Sequence, residues 1–201
     1  MPRTKQRTDA LHDRGVASAL AVLAEDGVAG LTARSVARRA DASVPAIYEV
    51  FGDKGGLIRE VFFEGFRMLA DDLSAVAASE DPLETLQRLA EAFRAFFLAN
   101  PVLAQIMFSR PFADFDPTTE DDKAGARVRE IFVRYVRIAV DAGTFVGNPT
   151  DIAHISLAMV IGLAEEESSG RLGTAKASLD RRWRVGVKAL QQGFSNPVED
   201  N

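Results

Sequence analysis

The side chains able to do covalent or metal chemistry are few and poorly placed. The chain has no cysteine and only two histidines, His12 and His154, which removes thiol nucleophiles, thiolate metal sites and disulfides together. No acidic pair lies at ligand spacing from either histidine, so no metal is expected, and His154 on an apolar helical stretch reads as a core or pocket-lining group. Glu165-Glu166-Glu167 offers carboxylates, but consecutive helical residues point in different directions, so at most one or two can face a cavity and the run reads as a solvated helix end. Gly52-Asp53-Lys54-Gly55-Gly56 surrounds a lysine with glycine, yet it lacks the spacing of a phosphate-binding loop and follows no strand. No cofactor is implied and no enzyme is expected. What remains is binding chemistry: the hydroxyls of Ser43 and Tyr48 suit phosphate oxygens or base edges, and Arg34, Arg38 and Arg39 cluster nearby in sequence.

The elements that must position these groups are helices. Apolar residues recur at helical spacing almost throughout the 201 residues, and no stretch sustains the alternation of a strand. The fold class is therefore all-α, with about nine helices. A first helix runs from about Asp9 to Asp26, ending at Gly27 and Gly30. Thr32 caps a short helix from Ala33 to Ala40, with Leu31 placed to staple against Val36. Asp41 can take the left-handed conformation of a tight exit, and Ser43 caps a second short helix through Phe51, with Pro45 in its first turn. Asp53 then caps a long helix from Lys54 to about Ala78. Further helices are expected from Pro82 to before Asn100, from Pro101 to about Ser109, from about Glu120 to Ala142, from Pro149 to about Ser169 and from about Thr174 to Phe194, with residues 110 to 119 as a loop.

Two short helices joined by a four-residue turn behind a longer helix have the geometry of a helix-turn-helix, in which the second short helix enters the major groove. Ile47, Val50 and Phe51 share an inward side, leaving Pro45, Ala46, Tyr48 and Glu49 outward. The pattern alone fits equally a small helical hairpin carrying an incidental surface tyrosine. The residues themselves go further: Gly30-Leu31-Thr32, Val36-Ala37, Ser43, Ile47-Tyr48, Phe51 and Lys54 followed by Leu57 closely resemble the DNA-binding domain of the TetR family of bacterial transcriptional regulators, over roughly residues 9 to 65. Asp41 stands where that family usually has glycine, and Val50 replaces a frequent histidine or aromatic. The resemblance implies that Tyr48 and Lys54 hold phosphates, that Thr32 and Arg34 lie at the groove edge, and that Ser43, Val44, Pro45, Ala46 and Glu49 face bases. Arg3, Lys5 and Arg7 form a basic arm suited to an adjacent minor groove.

The rest of the chain differs in character. Residues 1 to 60 hold nine Lys and Arg against eight Asp and Glu, leaving +1, whereas the remainder holds fifteen against twenty-one, leaving −6. Eight of the thirteen phenylalanines fall between residues 93 and 145. Such aromatics at helical spacing fit an ordinary core; the resemblance favours an effector cavity among Phe93, Phe97, Met107, Phe108, Phe132, Tyr135, His154 and Met159, for a hydrophobic or aromatic small molecule. The helix from Asp151 is apolar around nearly its whole circumference as far as Ala164 and must be covered on two sides. With the last helix, which places Leu179, Trp183, Val187, Leu190 and Phe194 on one stripe, it can supply a four-helix homodimer interface through residues 150–169 and 174–194.

Residues 1–56 are thus expected to form a helix-turn-helix domain, and residues 57–201 a helical domain for effector binding and dimerisation. The function expected is a homodimeric repressor that binds palindromic double-stranded operator DNA and is released by its effector, with the helix from Lys54 coupling the two sites. Two rivals exist. An α-helical enzyme or binding protein acting on an apolar ligand lacks a convincing nucleophile or acid–base pair, and a nonspecific architectural DNA protein sits poorly with the acidic C-terminal part. The longest apolar stretch, Ile152 to Ala164, falls short of the ~18 residues of a spanning helix, and the polar, basic start has no apolar signal, so a cytoplasmic protein without membrane contact is expected.

Overall fold

The computed structural model describes residues 2–109, Thr118 and 123–195, with the side chains of residues 2–7 outside the description. Every extended regular element among these residues is a helix: α1 (Pro2–Gly30), α2 (Ala33–Arg39), α3 (Val44–Phe51), α4 (Lys54–Ser74), α5 (Pro82–Ala99), α6 (Pro101–Ala104), α7 (Ala126–Asp141), α8 (Pro149–Ser168) and α9 (Lys176–Phe194). The chain divides into two compact units, one of residues 1–68 and 100–124, the other of residues 69–99 and 125–201.

In the first unit α1 packs against α2, α3 and α6. Its helix is broken at Gly27, whose φ of 68° no ordinary helical residue adopts. Helical backbone extends back to Pro2, earlier than the expected start near Asp9; the side chains of Arg3, Lys5 and Arg7 lie outside the described residues. The core is formed by Ala19, Val22 and Leu23 of α1, Leu31, Val36 of α2, Ile47 of α3, and Leu57, Ile58 and Val61 of α4. After α6 the backbone widens into a π-helical turn over Gln105–Ser109. Met107 of that turn packs where Gly65 leaves room, since a Cβ on Gly65 would lie 2.7 Å from its sulfur.

In the second unit α7 packs on α5 and α8, and α9 on α8 and α5. The core holds Phe93, Phe96 and Phe97 of α5, Phe132 and Val136 of α7, Ala153 and Val160 of α8, and Trp183 of α9. The end of α9 is fixed by the backbone amide of Val146, which donates to the Phe194 carbonyl at 2.8 Å. Helix α4 stops at Ser74 rather than near Ala78. Ser74 Oγ donates back to the Ala70 carbonyl at 2.6 Å, and the following residues are recruited to the start of α5, where the Ser79 amide donates to Thr85 Oγ1 at 2.9 Å and the Leu83 amide to Asp81 Oδ1 at 2.9 Å. The expected loop over 110–119 lies, Thr118 apart, outside the described residues, as does the expected helix start at Glu120; the helix that follows begins at Ala126.

Candidate nucleic-acid interface

The local sequence builds the two short helices and the angle between them. Thr32 Oγ1 accepts from the Ser35 amide at 3.1 Å, and Ser35 Oγ accepts from the Thr32 amide at 3.1 Å, a reciprocal capping box that starts α2. Leu31 and Val36, on either side of that cap, are both fully buried, as a hydrophobic staple requires. Helix α2 ends with the Ala42 amide donating to the Ala37 carbonyl at 3.0 Å, across Asp41 at φ 49°. That is the left-handed exit expected of Asp41. Ser43 Oγ accepts from the Ala46 amide at 3.2 Å and starts α3, with Pro45 in the first turn where no amide is missed.

Two glycines bring the neighbouring helices close. A Cβ on Gly15 of α1 would lie 2.6 Å from the Phe51 ring, and one on Gly56 would lie 1.9 Å from the Phe51 carbonyl oxygen. The end of α3 is thereby clamped between α1 and the start of α4, and His12 adds to the clamp with its ring 5.4 Å from that of Phe51 and its Nε2 3.2 Å from Glu60 Oε2.

This scaffold turns one face of α3 outward. Ile47 and Phe51 are buried; Val50 is only half-buried, against the fully inward position expected of it. Pro45 and Glu49 are exposed, Val44 and Ala46 half-buried, and Tyr48 is 48% exposed although it is aromatic. Thr32, Arg34, Ser43 and Lys54 are exposed beside them. All nine residues expected to contact DNA lie on α2, α3, their caps or the first position of α4, with none in the core.

The cations are not equivalent. Arg39 is tied to Glu25 of α1 by two hydrogen bonds of 2.6 and 2.7 Å. The same pair holds the Glu25 carboxyl below its ordinary range and raises the Arg39 guanidinium further. Arg34 and Arg38 form no ion pair among the described residues. Two features escape sequence reading. Arg39 belongs to the brace rather than to the free basic cluster, and Arg14 Nε donates to the Ala40 carbonyl at 3.4 Å, meeting an end group of α2. Both join residues at least fourteen positions apart, for which helical periodicity carries no signal. At the start of α4 the Gly56 amide donates to Asp53 Oδ1 at 2.8 Å, so a carboxylate caps the helix that Lys54 opens.

Residues 16–61 match the family described as bacterial regulatory proteins, tetR family, and residues 86–190 match the tetracyclin repressor-like C-terminal domain. The chain belongs to the TetR family. Among solved structures it is similar to a protein of unknown function from Rhodococcus sp. RHA1, with 27% identity over 92% of this chain and 96% of that one and a TM-score of 0.79. It shares the fold of a TetR variant from Acinetobacter baumannii AYE in complex with minocycline, at 23% identity over 90% and 93% of the two chains and a TM-score of 0.63. The same holds for RolR in complex with resorcinol, at 15% identity over 96% and 91% and a TM-score of 0.69. No curated protein matches the chain in sequence. As a TetR regulator it is a DNA-binding transcription factor with a helix-turn-helix in its first unit, and no single described helix is long and apolar enough to cross a membrane.

The residues expected to line an effector cavity in this TetR protein are divided between the two units. Phe93 and Phe97 stack at 5.2 Å in the buried core of the second unit, where Phe132 is also buried and Tyr135 accepts a hydrogen bond from Arg134 Nη2 at 2.6 Å. Met159 is half-buried. Met107 and Phe108 belong to the first unit, with Phe108 edge-on to Phe66 at 5.4 Å. His154 is exposed, its Nδ1 2.8 Å from the Thr150 carbonyl of the preceding turn, so it is not the core group that its apolar stretch allowed. The apolar stripe of α9 is also a correction. Trp183 is 0% exposed and Val187 is buried, both used by their own unit, while Val185 points out at 61% and Ile155 of α8 at 50%.

The second unit also holds a charged cluster that no motif announced. Arg94 of α5 is buried and donates to both oxygens of Glu167 at 2.7 Å and to Asp180 Oδ1 at 2.8 Å, with its guanidinium 5.2 Å from the Trp183 ring centroid. Glu167 is therefore no solvated helix end, and Arg94 is held above its ordinary pKa chiefly by that carboxylate.

Proposed function

We propose that this TetR regulator is a homodimeric repressor that binds a palindromic operator and releases it when a hydrophobic or aromatic small molecule binds its second unit. The observation that carries the DNA part is the outward face of α2 and α3: a half-exposed Tyr48, the cap hydroxyls Thr32 and Ser43, and Arg34 and Lys54, all around the recognition helix. Tyr48 and Lys54 serve as phosphate contacts, Arg34 reaches a guanine edge or a phosphate, and Val44, Pro45, Ala46 and Glu49 face bases. The 1–56 segment is the DNA-binding part in this reading.

Exposed Ile155 and Val185, with Ala158, Met159 and Ala189 nearby in sequence on the same two helices, support a symmetric interface through α8 and α9. Such a dimer supplies the second half-site that a palindrome needs. The aromatic group Phe93, Phe97, Phe132 and Tyr135 supports an apolar or aromatic effector, as does the binding of minocycline and resorcinol by two proteins of the same fold. An effector that favours one orientation of α4 lowers operator affinity only by its differential affinity for the two states, typically about 5- to 150-fold.

Selection of bound duplexes from a random pool tests this reading. Recovery of a palindrome with two half-sites about one helical turn apart is expected; recovery of no sequence preference overturns it. A thermal-shift screen of phenols and tetracyclines tests the effector part separately.

A further inference from the structure

The recognition helix has an unusual side-chain inventory. Its eight residues, Val44-Pro45-Ala46-Ile47-Tyr48-Glu49-Val50-Phe51, include no Arg, Lys, Asn or Gln. Those four are the side chains that donate paired hydrogen bonds to guanine or adenine edges in the major groove. Of the polar groups α3 does carry, Glu49 is an acceptor only and Tyr48 is taken by a phosphate in the reading above, while the Ser43 cap hydroxyl, which accepts from the Ala46 amide, has a single O–H and no paired donor. The first turn, which in this geometry lies closest to the bases, is Val44, Pro45 and Ala46, partly or fully exposed and wholly apolar. One group on the major-groove floor is complementary to such a surface: the C5-methyl of thymine.

We infer that α3 selects its half-site by burying thymine methyls against Val44, Pro45 and Ala46, without a donor to any purine edge. Purine reading then falls outside α3, to Arg34. This rests on the DNA-binding reading above and adds the chemical feature that the helix recognises. It also states what the half-site must contain: thymines whose methyls matter, on either strand, opposite the start of α3.

The test uses the full-length protein and the palindrome it selects from random duplexes. Thymines are replaced one position at a time, symmetrically in both half-sites, by deoxyuridine, which keeps every hydrogen-bonding atom and removes only the methyl. Each methyl buried by α3 is worth about fourfold in affinity per half-site, so a symmetric replacement at a contacted position should weaken binding by roughly fifteenfold in the dimer. Val44→Ala and Ala46→Gly should shrink that thymine-to-uracil ratio at the same positions, which separates direct contact from an effect of the methyl on DNA shape. If no replacement changes affinity, or the two variants leave every ratio intact, the inference is overturned while specific binding to the palindrome keeps the DNA-binding reading standing. If no palindrome is selected at all, both fall, and the selection reports that before any uracil is introduced.

Discussion

Arg94→Met is expected to destabilise the protein far more than the loss of one surface ion pair. The guanidinium makes three charge-assisted bonds of 2.7 to 2.8 Å, to a Glu167 side chain that is 6% exposed and to Asp180, which is 37% exposed. Methionine fills much of the volume but leaves Glu167 a buried carboxylate without a cation, which costs about 3–5 kcal/mol. Asp180 is wet enough to recover its hydration, so its share is held to roughly 1 kcal/mol or less. For a chain of this size each kcal/mol moves the midpoint by about 2–4 °C, giving a fall of roughly 6–24 °C. The paired change Arg94→Met with Glu167→Met removes both charges and should recover most of the loss, because the attraction inside the protein is largely offset by the cost of desolvating the two ions. Trp183 is the sole tryptophan and lies fully buried beside the guanidinium, so its fluorescence reports on this cluster while circular dichroism follows the helices. A loss below about 1 kcal/mol for Arg94→Met, or a double variant no more stable than the single one, would refute the argument that the unpaired carboxylate sets the magnitude.

Lys54→Ala should weaken binding to all duplexes alike and lower the salt slope by ~0.9 for each phosphate it no longer neutralises, as measured by affinity titrations across salt concentration. Arg34→Ala should in addition relax preference at one base pair, by about 1–3 kcal/mol, if it reads guanine; selection with the variant decides. Ile155→Glu and Val185→Asp should yield monomers that lose the operator, whereas Trp183 variants should unfold because that side chain is fully buried within its own unit; sedimentation and circular dichroism separate the two outcomes. Glu84 is held below the ordinary carboxylate range by hydrogen bonds from Ser79 and Arg88. A lowered folded-state pKa makes its contribution fully present above the unfolded value and lost as pH falls through the folded one, so Glu84→Gln should flatten the acid side of the stability profile.

The DNA-binding segment is legible in the sequence because its determinants are local. Thr32 and Ser43 act three residues ahead of the amides they accept from, Leu31 and Val36 bracket one cap, and Asp41 needs only its own backbone preference. The reach of α4 is illegible for the same reason in reverse. Residues 75–78 carry nothing that forbids a helix, and what stops them is Ser79 and Asp81 capping α5, a competition that composition does not display. Within the π-helical turn at Gln105–Ser109, Met107 seats over Gly65, forty-two positions earlier, a contact that helical periodicity does not display either.

The second unit is harder to read because its decisive contacts are between helices far apart in sequence. An arginine at position 94 and a run of three glutamates each look like solvated charge when taken singly, and the fold makes Arg94 and Glu167 a buried pair across 73 residues. The same distance explains the two misplacements on α8 and α9. Helical periodicity finds a stripe of Trp183 and Val187 and an apolar surround on α8, but it cannot say which stripe serves the protomer's own core and which is left for a partner. Burial decides: the large tryptophan goes inward, beneath Arg94, and the smaller Val185 and Ile155 stay out. The rotation of α9 about its axis thus sets two things at once: it brings Asp180 and Trp183 against Arg94 and leaves Val185 outward. Reversing that rotation to offer Trp183 to a partner would take both Asp180 and the Trp183 ring away from Arg94, so these two contacts act as a register lock on the face of α9 through which we propose that the TetR dimer forms.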